Sequence, residues 1–165
     1  MDKYYYLTSL FPTLYFDKPA KISVASFLQE AEKWLSRRDF SIVRSINLND
    51  VAQDKSNPSS LREYKEFEYQ LRSDLASWRK AKQIGTEYKP QRFASSIVKE
   101  GNPLEIEIKL MRMRWDFLEE KERDHHFNLE FLIIYYLKLQ ILQRLNQFNK
   151  DKGIEKYQSI CRVSL

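Results

Sequence analysis

Apolar residues recur at three- and four-residue spacing over most of the chain, between residues that start or stop helices. Val24, Phe27, Leu28, Ala31, Trp34 and Leu35 predict a helix over 24–37, with Ser23 placed to cap it. A shorter helix is expected from Asp39, with Phe40, Val43 and Ile46 turned inward. The stretch NLNDVAQDKSNPSS that follows has no period and reads as a polar loop. Ser60 and Glu63 then have capping-box spacing ahead of a long amphipathic run, Leu61, Tyr64, Phe67, Leu71, Leu75 and Trp78. That helix should end near Ile84, because Gly85 supplies the left-handed cap position. Residues 85–101 contain Pro90 and Gly101 and read as a connector with at most one helical turn.

Asn102-Pro103-Leu104-Glu105 predicts a helix start: Asn102 caps, Pro103 fills the first turn and Glu105 reaches back. Leu104, Ile108, Met111, Trp115 and Leu118 form its stripe, through to about Arg123. A last long helix begins at Asn128, with Phe127 placed to staple against Leu132, and runs to about Lys150 or Asp151. Gly153 offers a stop, and IEKYQSI adds a short terminal helix. At the other end, residues 3–16 are rich in Tyr, Phe and Leu, and Pro12 disfavours a helix there. An extended, buried segment is expected. The pattern predicts a mostly α fold, a bundle of about five helices with a short extended N-terminal segment. It reads as one domain over 1–165, or as two lobes, 1–50 and 60–165, joined by the polar loop.

The run FLIIYYLKLQIL, residues 131–142, is the most apolar stretch of the chain. A membrane-spanning helix takes about 20 mostly apolar residues. Here the apolar block ends at Leu137, and Glu130, Lys138 and Arg144 lie in or beside the run. No transmembrane segment is expected, and the run reads as a central packing helix. Lys138 should have its stem covered, with its ammonium in solvent at the rim or at a neighbouring carboxylate. A Schiff-base lysine is the sharper alternative, but no phosphate or carbonyl pocket is in view.

Composition supports helices and narrows the chemistry. Three glycines, at 85, 101 and 153, cannot build a phosphate-cradling loop. One cysteine, Cys161, and two histidines, His125 and His126, exclude a zinc site made of Cys and His. His125 and His126, with Glu122 and Asp124, could serve as a general base or metal site; a polar turn closing a helix explains them more simply. The acids Glu105, Glu107, Asp116, Glu119, Glu120 and Glu122 alternate with Lys109, Arg112, Arg114, Lys121 and Arg123 and read as a surface ladder. Neither a catalytic site nor a cofactor or metal is expected. The N-terminus opens with an acid and lacks a basic n-region, so no signal peptide is read and a cytoplasmic protein is expected.

The net charge is +5. It resides in residues 72–99, where Arg72, Arg79, Lys80, Lys82, Lys89, Arg92 and Lys99 face only Asp74 and Glu87. Such a strip suits an acidic protein partner, an anionic lipid surface or nucleic acid, or is simply a solvated helix face. Base stacking by Tyr64, Phe67, Trp78 and Trp115 would accompany nucleic acid, but these residues fall on apolar stripes and read as core.

The stretches YYYLTSLFPTL, FLQEAEKWLSRRDFSIV and RWDFLEEKERDHHFNLEFLIIYYLKLQILQRLNQFNKDKG resemble an uncharacterised family associated with bacterial V-type ATPase operons. More distantly they are similar to the C-type (d-type in eukaryotes) component of V/A-type ATPases, the helical protein that joins the central stalk to the membrane rotor. There, Phe27, a helix, then Leu-Ser-x-x-Asp-Phe ending at Phe40 resembles a recurring signature. The matching stretches cover about two fifths of the chain. The stalk-to-rotor protein has three related helical lobes, more than 165 residues hold, so no docking residue is carried over. The resemblance implies a nonenzymatic structural or coupling subunit acting by protein–protein contacts in the stalk region, with other V-type ATPase subunits as partners. The alternative is a helical nucleic-acid-binding module using the strip at 72–99.

Overall fold

The computed structural model describes residues 3–148 and residues 153, 155 and 159. Seven helices lie within 3–148: α1 (Lys3–Leu10), α2 (Val24–Trp34), α3 (Arg37–Ser45), α4 (Ser59–Ile84), α5 (Ser95–Lys99), α6 (Pro103–Glu122) and α7 (Leu129–Gln147). No strand occurs among the described residues, so the fold is all-α. Gly153, expected as a stop, is helical, as are Glu155 and Ser159. The rest of the expected terminal helix, and Cys161, lie outside the described residues.

α7 is the centre. Leu132 to Leu139, Ile141 and Leu142 are all buried, and the helix packs against α2, α3, α4 and α6. Aromatic rings fill the space around it. Phe27 of α2, wholly buried, stacks on Tyr136 at 5.0 Å and on Tyr135 at 5.7 Å, and Phe11 stacks on Tyr135 at 5.2 Å. Each such pair adds about 0.5–1.5 kcal/mol beyond the area it buries.

Polar residues on α7 fix where its neighbours sit. The Gln140 side-chain amide donates to the Ile46 carbonyl, at the end of α3, and its oxygen accepts from the Leu48 N–H. The Tyr135 hydroxyl donates to the Pro12 carbonyl, anchoring the N-terminal segment. Arg144 pairs with Glu107 of α6. Glu130 acts across the bundle on α4. Its carboxylate accepts from the Ser59 N–H at 3.0 Å, the Ser59 hydroxyl at 2.9 Å and the Ser60 N–H at 3.0 Å. Burial opposes the Glu130 charge, but the hydrogen bonds from Ser60 and Ser59 outweigh it and hold its pKa below the usual value.

That contact corrects the expected capping box. Ser60 does not cap α4; Pro58 occupies the N-cap position with no side-chain bond, and Glu63 pairs with Lys121 instead. A carboxylate from another helix satisfies amides that local sequence leaves open. The box at Asn102 and Glu105 forms as expected, Asn128 caps α7, and Gly85 closes α4 at φ 72°. Gly101 is also left-handed, φ 104°, and a Cβ there would collide with the Glu105 carboxylate that completes the box.

Two further expectations are overturned, at the N-terminal segment and at Trp34. The N-terminal segment is helical at Lys3–Leu10, not extended. With no strand to pair with, an extended YYYL would leave its amides unbonded, whereas a helix satisfies them internally. Pro12 falls beyond the helix end, where it is tolerated, and Leu7 and Thr8 are buried. With α5, this raises the count from about five to seven. Trp34, expected inward, is 39% exposed and rests against Tyr6, because α2 ends there and Ser36 starts α3. Phe127 adopts φ 45°, and its ring, 48% exposed, lies 4.8 Å from Tyr5.

Candidate interaction surface

The C-terminal half of α4 extends away from α7 into a second, smaller core. Leu71 and Leu75 meet Phe93, Val98 of α5 and Leu110 of α6, with Phe67, Trp78, Ile97, Ile106 and Met113 around them. This explains why Leu104 and Ile108, expected on the α6 stripe, are exposed. Over its first half α6 faces the small core through Ile106, Leu110 and Met113. Over its second half it faces α7 through Met111, Trp115 and Leu118. Ile106, Leu110, Met113 and Phe117 are themselves spaced by four, three and four, so the second stripe was visible in the sequence.

Between the two cores lies a buried charge cluster that periodicity passed over. Glu68 is fully buried and accepts from Arg114 Nε at 2.8 Å and Nη2 at 2.9 Å, and from Arg72 Nε at 2.6 Å. Burial works against the Arg114 charge, but Glu68 more than restores it and raises its pKa. Arg114 is therefore not a rung of a surface ladder: it is 7% exposed and joins α6 to α4. A signal was available. Leu61, Tyr64, Glu68, Leu71 and Leu75 keep a three–four alternation, so a carboxylate occupies a core position and demands a partner. Lys65, also buried, donates to Asp50 at 2.7 Å and to the Ala52 carbonyl, holding the polar loop on α4.

Lys138 is buried, with 3% of its surface exposed. Its ammonium pairs with Glu122 at the end of α6 and sits 4.9 Å from the Trp115 ring centre. The partner is a neighbouring carboxylate, as one of the two sequence readings had it, and the pair ties α7 to α6. His125 lies in the turn between these helices, its backbone N–H bonded to the Glu122 carbonyl and its Nδ1 3.5 Å from the Asn128 amide. No group of three or more His, Cys, Asp or Glu side chains that could hold a metal occurs among the described residues.

The cations at 72–99 have different surroundings. Arg72 is tied to Glu68 and Asn49. Arg79 and Lys80 are exposed on α4 and make no ion pair among the described residues. Asp74 organises the rest. Buried in the wall of α4, it accepts from the Tyr88 hydroxyl at 2.6 Å and from the Gln91 and Arg92 N–H groups at 2.8 Å each. Burial alone would raise its pKa; these hydrogen bonds lower it instead. The loop after Gly85 is thereby folded back along α4. Arg92 then lies near a mixed-charge cleft of about 780 Å³ that also contains Phe67 and Phe117, stacked at 4.3 Å.

Lys82 and Lys89 fall in a different place, a groove of about 750 Å³ between the end of α4, the folded loop and α5. Trp78, Thr86, Ser95 and Lys99 also line it. Tyr64 and Trp115 are buried, so neither ring is available for stacking on a base.

No helix of the described residues is long and apolar enough to cross a membrane. No curated protein and no solved structure shows significant similarity to this chain. Residues 95–163, from α5 onward, match the profile of a family described as a protein of unknown function, DUF2764.

Proposed function

We propose that this chain is a nonenzymatic structural or coupling subunit of a V-type ATPase, acting by protein–protein contacts in the stalk region. The observation that carries the contact role is where charge is used. Cations that lie against the cores are paired internally: Arg114 and Arg72 on Glu68, Lys138 on Glu122, Lys65 on Asp50, Arg144 on Glu107. The Arg114–Glu68, Lys138–Glu122 and Arg144–Glu107 pairs brace the helices against one another. Around the far end of α4 five exposed cations gather without ion-pair partners among the described residues, Arg79, Lys80, Lys82, Lys89 and Lys99, and this segment carries the net positive charge of the chain. A braced body with an unneutralised end suits a part that is held by other subunits. The V-type ATPase context rests on the sequence resemblance at 4–14, 27–43 and 114–153.

The test is affinity purification of the tagged chain from detergent-solubilised membranes of its native host, with its companions identified by mass spectrometry. ATPase subunits in fixed proportion are expected. Intact ATPase complexes that lack the chain would overturn the assignment. Tight, steeply salt-dependent binding of nucleic acid, weakened by Arg79→Glu, would replace it with the nucleic-acid reading.

A further inference from the structure

We infer that the groove between the C-terminal end of α4, the loop at 86–89 and α5 is a docking site for an acidic segment of a protein partner. This deepens the contact role proposed above and rests on it. Three ammonium groups, Lys82, Lys89 and Lys99, line the groove against a single carboxylate, Glu87. None of the three lysines makes an ion pair among the described residues, whereas the cations between the helices do. An incoming carboxylate therefore need not displace an internal partner.

The groove is also built in advance. Asp74 fixes the loop on both sides of Lys89 by three hydrogen bonds, so little ordering of its backbone remains to be done on binding. The Thr86 and Ser95 side chains add hydroxyl groups to the same wall, and the Thr86 hydroxyl is already turned to the Ala81 carbonyl.

The aromatic groups in the groove argue against single-stranded nucleic acid. Base recognition there requires open ring faces. Lys82 Nζ lies 5.2 Å from the Trp78 ring centre, and the Tyr88 hydroxyl is committed to Asp74. One face of Trp78 is therefore already taken by an ammonium, which leaves Tyr88 as the other ring in the groove. What the groove offers is three ammonium groups beside the Trp78 and Ala81 side chains, the complement of a peptide that mixes acidic and aliphatic side chains.

The experiment measures fluorescence anisotropy of the purified full chain with a fluorescein-labelled peptide alternating Glu and Leu. A matched peptide with Gln for Glu and a labelled oligouridylate serve as comparisons. The acidic peptide should bind, and Lys82→Glu/Lys99→Glu should weaken it by about tenfold or more, since two attractions become repulsions. Arg37→Glu/Arg38→Glu, which reverses two exposed cations on α3, should leave it unchanged, with circular dichroism confirming the helix content of both variants. Equal weakening by both variants, no preference for Glu over Gln, or tighter binding of oligouridylate each overturns the groove assignment. The same Lys82→Glu/Lys99→Glu chain is then purified from native membranes. Retained ATPase subunits would refute the groove while leaving the subunit assignment standing. Peptide binding by a chain whose wild type captures no ATPase subunit would leave the groove and refute the assignment.

Discussion

Replacing Glu130 tests whether one carboxylate on α7 holds the start of α4. Three donors lose their acceptor in Glu130→Ala: the Ser59 N–H, the Ser59 hydroxyl and the Ser60 N–H, all within 3.0 Å. A hydrogen bond to a charged group contributes roughly 1.5–3 kcal/mol, and loss of a helix cap costs roughly 0.5–2 kcal/mol. These describe the same contact and do not add. Glu130 is only half-buried, and the stranded amides can reach water. The better helix propensity of alanine offsets a few tenths of a kcal/mol. About 2 kcal/mol is expected for Glu130→Ala and about 1 kcal/mol for Glu130→Gln, which keeps an acceptor but not the charge.

Urea titration followed by helical circular dichroism at neutral pH gives both values, with an unchanged denaturant slope showing that the folded state is intact. The pH dependence supplies an independent check. The folded-state pKa of Glu130 lies below its reference of 4.5, so the unfolded chain takes up this proton first. The stabilisation is complete above that reference and disappears as pH falls through the lower, folded value. The gap between wild type and Glu130→Gln should therefore be constant from neutrality to about pH 5 and shrink at more acidic pH. A loss under about 0.5 kcal/mol for Glu130→Ala, or a gap that does not narrow in acid, would refute the cap.

Two other charge contacts make contrasting predictions. Arg114→Met leaves Glu68 in the interior with only Arg72 for company, so the loss should approach about 3 kcal/mol, the lower end for a broken buried pair. Adding Glu68→Leu should recover most of it, and a double-mutant cycle showing no coupling would contradict the assigned pairing. Lys138→Met keeps the buried stem, and Glu122, whose side chain is 27% exposed, can turn to water. The variant should fold with a loss of about 1 kcal/mol, lowering the melting temperature by about 2–4 °C. A Lys138→Met chain that folds but has lost a catalytic activity of the wild type would defeat the nonenzymatic reading.

Helix existence was legible because periodicity reports which face is buried, and that is a property of the element itself. Val43, Tyr64, Leu71, Trp115 and Leu118 fall where the pattern put them. The errors came from partners. YYYL has strand propensity, but a strand needs a neighbour, and none is present among the described residues. Ser60 and Glu63 have the spacing of a box, but Glu130 and Lys121, distant in sequence, bind these positions instead. Leu104 and Ile108 lost their expected places because α6 serves two cores and its buried face changes along its length. At the proposed groove, the excess of cations was visible in the sequence. That Asp74 folds the loop back and divides Lys82 and Lys89 from Arg72 was not, because the division depends on three hydrogen bonds spanning fourteen to eighteen residues.

The wiring of α7 has a consequence for the order in which the chain acquires its shape during synthesis. A ribosome delivers α4 before the residue that caps it, since Ser59 precedes Glu130 by 71 positions. Glu68 likewise emerges 46 positions ahead of Arg114. Until those later residues leave the exit tunnel, α4 has a frayed start and an acid on its apolar face that must stay hydrated. The first half of the protein is thus prevented from collapsing tightly on itself, and final closure awaits α7. A nascent chain halted before residue 130 should remain protease-sensitive throughout α4, whereas one halted well beyond α7 should not.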